Sequence, residues 1–165
     1  MPSGNYITYG AKIFFILGNV MKVISIYKNH DWLNFGEKYT LTLPAAERSL
    51  RHKKLVLDDG SYVYVDFDQV IYLQNLDALK LEDNNLIKII AAKEKIMNIT
   101  CKDSIHLSKI AWHIGNRHCP LQIIDEKNLR IEQNNVLFDM LQALDAKVIL
   151  DKDTFDPEQG AFRGH

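Results

Sequence analysis

Between Ile96 and Leu150 the apolar residues switch repeatedly between a spacing of two and a helical spacing, and that succession restricts the fold more than any other feature of the chain. Ile96-Met97-Asn98-Ile99-Thr100 reads as a strand. Asp103 and Ser104 then cap a helix whose apolar residues Leu107, Ile110, Ala111 and Ile114 fall on one face. The helix stops at Gly115, and Pro120 bars its continuation. Leu121, Gln122, Ile123 and Ile124 form the next strand, and Leu129, Arg130 and Ile131 pair back on it after a turn through Asp125 and Asn128. Asn134 or Asn135 caps a second helix with a buried stripe of Val136, Leu137, Met140, Leu141 and Leu144, and Lys147 to Leu150 closes with a strand. The order βαββαβ predicts the split βαβ, or ferredoxin-like, unit: two helices on one face of a four-stranded antiparallel sheet.

Upstream the signals have period two and no helix of convincing length appears. Strands are expected at Val23-Ile24-Ser25-Ile26-Tyr27, at Tyr39 to Leu43, at Leu55-Val56-Leu57, at Tyr62 to Phe67 and at Leu86 to Ala92. Asp58-Asp59-Gly60 reads as a hairpin turn between two of them. The chain is therefore expected to be α+β, with a β-rich amino-terminal domain at residues 21–93 and a ferredoxin-like domain at residues 94–150. Residues 1–20 form an extension or precede an alternative start. Residues 151–165 lose periodicity, carry four acids, Pro157, Gly160 and Gly164, and read as a mobile tail.

Composition narrows function mainly by exclusion. Lysine and arginine number 20 against 21 acids, a net charge of -1, and the two parts are each near neutral, so no field favours nucleic acid or an anionic membrane. The apolar run Ile13-Phe14-Phe15-Ile16-Leu17 is too short to span a bilayer, and no small-x-small cleavage site follows it, which argues against secretion. Two cysteines, Cys101 and Cys119, are too few for a disulfide framework and fit no CxxC knuckle, which points to a reducing compartment, the cytoplasm. No phosphate-cradling glycine loop, nucleophile elbow or zinc-protease motif is present, so the chain is not read as an enzyme.

The most informative stretch is Trp112-His113-Ile114-Gly115-Asn116-Arg117-His118-Cys119-Pro120. Gly115 is expected in the left-handed conformation that ends a helix, Asn116 and Arg117 turn the chain, and Pro120 fixes the exit, so that His118 is presented on a short rigid corner. With residues 136–141 (Val-Leu-Phe-Asp-Met-Leu) and 155–162 (Phe-Asp-Pro-Glu-Gln-Gly-Ala-Phe), this segment resembles the urease accessory protein UreE family of nickel metallochaperones. The resemblance implies an amino-terminal domain similar to the peptide-binding domain of Hsp40 chaperones, followed by a ferredoxin-like metal-binding domain. It implies nickel as cargo, zinc and copper as competitors for the same imidazoles, and His118 of the Gly-Asn-Arg-His motif as the ligand at a homodimer interface. His165, after Gly164, matches a carboxy-terminal ligand position. The implied partners are a second copy, the urease accessory GTPase and the apo-urease assembly complex, and a surface His118 cluster permits a dimer of dimers as well as a dimer.

The chemistry agrees. Nickel accepts imidazole nitrogen and takes more ligands than one His118 provides, and a two-fold axis near His118 supplies a second imidazole. A site with few protein ligands and a movable outer shell can release its ion, which suits a carrier. The rival function is a peptide-binding interaction module with incidental metal binding, using a sheet edge of the β domain. The other histidines are expected outside the site. His113 reads as packed beside Trp112, His106 as part of a solvated face, and His30 and His52 as surface residues. Cys119 reads as a small buried residue pointing away from His118, by analogy with extended chain. Glu132 and Asn135 stand where some members of the family carry extra histidines, and Asp151, Asp153, Asp156 and Glu158 lack the pattern of a calcium loop.

Overall fold

A computed structural model of the chain describes residues 7–8, by their backbone, together with residues 21–29, 31–32 and 36–159. They fall into two compact units, divided between Ala91 and Ala92. The chain is α+β, and no helix among the described residues is long and apolar enough to cross a membrane.

The first unit is built of strands β1 (Ile7–Thr8), β2 (Met21–Tyr27), β3 (Tyr39–Leu43), β4 (Ser49–Val56), β5 (Tyr62–Tyr72), β6 (Ala78–Leu81) and β7 (Leu86–Ala91), with one short 3-10 turn at Ala45–Glu47. The strand order is β3-β7-β6-β2-β5-β4, and β1 pairs with β2. Alternation buries Val63, Val65 and Phe67 of β5 and leaves Tyr62 and Tyr64 exposed. The expected hairpin forms between β4 and β5. Leu57 N–H donates to Ser61 O at 2.8 Å, and Gly60 sits at φ 85°, a conformation that glycine adopts without steric cost. Strand β6 has no strand signal in its sequence, because Ala-Leu-Lys-Leu are good helix formers. It is a strand because both of its edges are paired, with β2 and with β7. Beside it, the fully buried Asp77 carboxylate accepts from Lys28 Nζ at 2.7 Å, Asn29 N–H at 3.0 Å and Gln74 N–H at 2.9 Å.

The second unit follows the predicted order: β8 (Lys93–Thr100), α1 (Ser104–Gly115), β9 (Gln122–Ile123), β10 (Asn128–Glu132), α2 (Asn135–Ala143) and β11 (Lys147–Thr154). Its sheet runs β11-β8-β10-β9 with every pairing antiparallel, the split βαβ arrangement. Met97, Ile99, Leu129 and Ile131 from the sheet pack in one core with Ile110 and Ile114 of α1 and Leu137 and Leu141 of α2. Both helices start on side-chain caps. Asp103 Oδ1 accepts from His106 N–H at 2.8 Å, and Asn134, the first of the two candidate asparagines, accepts from Leu137 N–H at 3.0 Å. Helix α2 ends on Asp145 at φ 60°, where Ala146 N–H reaches back to Leu141 O at 3.0 Å.

Two expectations for this unit are corrected. The segment from Asp151 does not begin a mobile tail. Strand β11 runs on to Thr154, Phe155 is fully buried, and Asp156 and Glu158 are hydrogen-bonded back to the residues around β9. Periodicity missed this because β11 is an edge strand with charged or polar side chains on both faces beyond Leu150.

His106 is also no solvated-face residue. Its Nδ1 accepts from Lys102 N–H at 3.1 Å, so Nε2 carries the proton and donates to Leu144 O at 2.8 Å, which ties the start of α1 to the end of α2. His106→Ala removes both bonds and leaves Leu144 O at a helix end without its donor. The variant should lose about 1–2 kcal/mol in urea unfolding. An unchanged midpoint would show the clasp to be energetically idle.

Candidate metal centre

Helix α1 delivers the candidate site. Its last turn continues into a tight turn in which Asn116 N–H donates to Trp112 O at 3.0 Å, Arg117 N–H to Ile114 O at 3.0 Å and His118 N–H to Gly115 O at 2.9 Å. Arg117 folds back, its guanidinium donating to His113 O at 2.9 Å. The corner is therefore held by backbone and helix carbonyls, with the turn at Asn116 and Arg117 where it was expected, but its left-handed residue is a different one. Gly115 is the last residue of the helix and has no positive φ, and a Cβ placed there would meet nothing within 4 Å. The left-handed residue is His118 itself, at φ 52°. Histidine is among the few non-glycine types enriched in that region. The chain reverses at His118, and its exposed imidazole makes no hydrogen bond or ion pair with any described residue.

This backbone also removes the premise for placing Cys119 opposite His118, because the two do not lie on an extended chain. Cys119 is half-buried and its thiol donates to Arg117 O at 3.5 Å. Cys101, by contrast, is buried in the core, and burial, followed by the nearby Asp103 charge, pushes its thiol above the usual range.

Neither His106 nor His113, the other described histidines of the second unit, joins His118 in a metal-holding group. His113 is half-buried with its ring edge-on to Trp112 at 4.9 Å. His106 is the clasp described above. His52 is hydrogen-bonded through Nδ1 to Asp66 on the outer face of the β4–β5 hairpin in the first unit. His30 and His165 lie outside the described residues. Among the described residues no group of three or more His, Cys, Asp or Glu side chains is placed to hold a metal ion. Among the described residues, His118 is thus an exposed imidazole with no hydrogen bond, ion pair or ring contact. Of the acids, Asp153 is engaged by Arg130 at 2.9 Å and Glu158 by Ile123 N–H at 3.3 Å.

Two features surround the corner that sequence reasoning did not single out. Trp112 is 62% exposed and Ile105, two turns earlier on α1, is 68% exposed, so two large apolar side chains stand on the outer surface of the helix that carries the corner, with the exposed Ser108 and Lys109 in the turn between them. Ile123, 50% exposed, pairs with the core residue Leu129 and so lies on the helix-covered face of the edge strand β9. The signal was available in the sequence, since Ile105 and Trp112 lie off the buried stripe of α1.

Residues 94–165 match the family model described as UreE urease accessory protein, C-terminal domain. A urease accessory protein UreE from Rhodopseudomonas palustris (strain BisB18) is 36% identical over 143 residues, which are 87% of this chain and 67% of that protein. Proteins of the same description from Rhizobium rhizogenes and Agrobacterium fabrum are 39% and 37% identical, with 73% and 77% of their lengths covered from 74% and 76% of this chain. The chain spans 60% of the length of the similar Rhizobium etli protein.

Proposed function

Because this chain belongs to the urease accessory protein UreE family, we propose that it is a nickel carrier for urease maturation, an accessory protein without a reaction of its own. The observation that carries the reading is the exposed, unbonded imidazole of His118, held on a backbone-defined corner with no metal-holding group of described side chains around it. One imidazole does not retain nickel against water. Two copies related by a two-fold axis near the corner bring two His118 rings to one ion, and a closed dimer needs a self-complementary surface there. The apolar residues Trp112, Ile105 and Ile123 supply a candidate for it. The open space around Gly115 leaves the backbone free to be approached.

His165 is the proposed further donor. Glu158 is bonded to Leu121, three residues after His118, and the seven residues onward to His165 span at most about 25 Å, so the terminal imidazole is within reach of the corner. Such a shell captures and gives up an ion more readily than a closed four-ligand site does. In this reading the carrier works in the cytoplasm, docks with the urease accessory GTPase and the apo-urease complex, and uses its first, β-rich unit as an Hsp40-like partner-binding domain. Zinc and copper compete for the same nitrogens.

Nickel bound per chain by equilibrium dialysis, with mass by light scattering, tests the proposal. One tight ion per two chains, or per four if dimers pair around the ion, is the expected result. A monomer that binds one ion per chain, or no ion, would refute it. Trp112→Asp, which places a charge on the apolar face without touching His118, should shift the mass to that of a monomer and abolish the shared ion. An unchanged mass would remove this face from the interface.

A further inference from the structure

The geometry points to residues 155–158 as a strap that fastens the carboxy-terminal segment across to the strand edge beside His118, with Gln122 and Glu158 as its side-chain clips. The inference deepens the proposed reading of His165, on which it rests. Strands β11 and β9 are the opposite edges of the second sheet, three strand spacings apart, or about 14 Å. The chain leaves β11 at Thr154, whose carbonyl accepts from Arg130 of β10. Phe155 is fully buried. Asp156 N–H donates to Gln122 Oε1 at 3.0 Å, Glu158 N–H donates to Leu121 O at 2.7 Å, and Ile123 N–H donates to Glu158 Oε1 at 3.3 Å. Within four residues the chain has passed from one edge of the sheet to the other, and each step is held by a hydrogen bond or by burial. Arg130 serves the start of the crossing, its other nitrogens holding Asn98 at 2.9 Å and Asp153 at 2.9 Å.

The strap sets where the tail begins. Fastened at Glu158, the chain has seven residues left to reach His165, at most about 25 Å, from a point three residues past His118. Released, the count to His165 is eleven residues from Thr154 at the far edge. Effective concentration falls as roughly the −3/2 power of tether length, and more steeply when the tether must also span a gap. The longer tether and the 14 Å displacement together lower the local concentration of the terminal imidazole at His118 about three- to tenfold. Gln122 and Glu158 are thus positioning residues for the metal centre, although neither is offered as a ligand.

The double variant Gln122→Ala/Glu158→Pro, which removes both side-chain clips and the Glu158 N–H that donates to Leu121 O, tests this in the full-length chain, by two readouts. The first needs no metal. A nitroxide on Arg163→Cys, in a Cys119→Ser background, should broaden the amide signals of Arg117 and His118 with the strap intact and broaden them clearly less in the double variant. Equal broadening in the two chains would overturn the strap as a positioning device. The second readout is nickel affinity, expected to fall three- to tenfold in the double variant but to be unchanged by it in a His165→Ala background. An equal fall in both backgrounds would assign the effect to the fold and overturn the inference. If His165→Ala alone leaves affinity unaltered, the ligand role of His165 fails, and the broadening experiment still decides whether the strap positions the tail. Amide exchange of α1 and β8 should be the same in all chains, which certifies that the fold is kept.

Discussion

His118→Ala is expected to abolish the tight, shared nickel while leaving the fold unchanged, a loss of at least 100-fold in affinity, because each substitution removes two imidazoles from a dimeric site. The residue is exposed and its ring contacts no described partner, so no packing is lost with it. Alanine, however, inherits the left-handed backbone at φ 52° without histidine's relative tolerance of it, and stability should fall by up to about 1 kcal/mol. His118→Gly separates the two effects. Glycine adopts that conformation freely, so this variant should be as stable as the parent or more so by a few tenths to about 1 kcal/mol, and should bind nickel no better than the alanine variant. Thermal unfolding without metal and equilibrium dialysis with it give the two numbers independently. Retention of the shared ion in either variant would move the metal centre away from His118.

The largest stability effect is expected far from the metal centre. Asp77 is fully buried, and its two carboxylate oxygens accept from an ammonium and two backbone amides. Its own backbone is also committed, Asp77 N–H donating to Gln74 O at 3.2 Å and its carbonyl accepting from Ile89 N–H at 2.8 Å. Asp77→Ala strands three donors at once, two of them amides that cannot turn toward water without moving the loop. Lys28, 42% exposed, can turn to water, but each amide left without an acceptor costs about 1–3 kcal/mol, so the expected loss is about 2–5 kcal/mol. That is a large fraction of the 5–15 kcal/mol by which ordinary domains are stable. Asp77→Asn keeps the volume and one acceptor oxygen but turns an amide group toward other donors, so it should recover only part of the loss. Unfolding followed by amide exchange should show the damage in β2 and β6, which Lys28 and Asp77 adjoin in sequence, and in β7, whose Ile89 N–H donates to the Asp77 carbonyl. A loss of less than 1 kcal/mol would mean that the loop finds water or other acceptors.

Much of this was legible in the sequence, and the failures share a cause. The order of elements in the second unit follows from spacing alone, since each apolar stripe meets one core. The candidate ligand His118 was legible from its motif, but its backbone was not. The carbonyl of Gly115 takes up the His118 amide one turn on, which moves the left-handed residue from the expected glycine to the histidine. Strand β6 was hidden because its composition favours a helix and only pairing on both sides decides otherwise. The strap was hidden because it is specified by backbone amides, one buried phenylalanine and two polar side chains distant in sequence, none of which leaves a periodic trace. The clasp at His106 is similar: a histidine that spaces like a surface residue is claimed by two backbone groups, one of them 38 residues away.

The strap has a consequence for colloidal behaviour. A four-stranded sheet has two edges, and an unprotected edge recruits strands from other molecules. Along β11 the outer edge carries Lys147, Asp151, Lys152 and Asp153, so a second copy approaching in register would set like charges against each other or strip them of water. At β9 the edge groups of Leu121 and Ile123 are already bonded to Glu158 of the same chain. One edge is guarded by charge and the other by the chain's own end, so fibrous growth through this sheet is disfavoured at both of its edges.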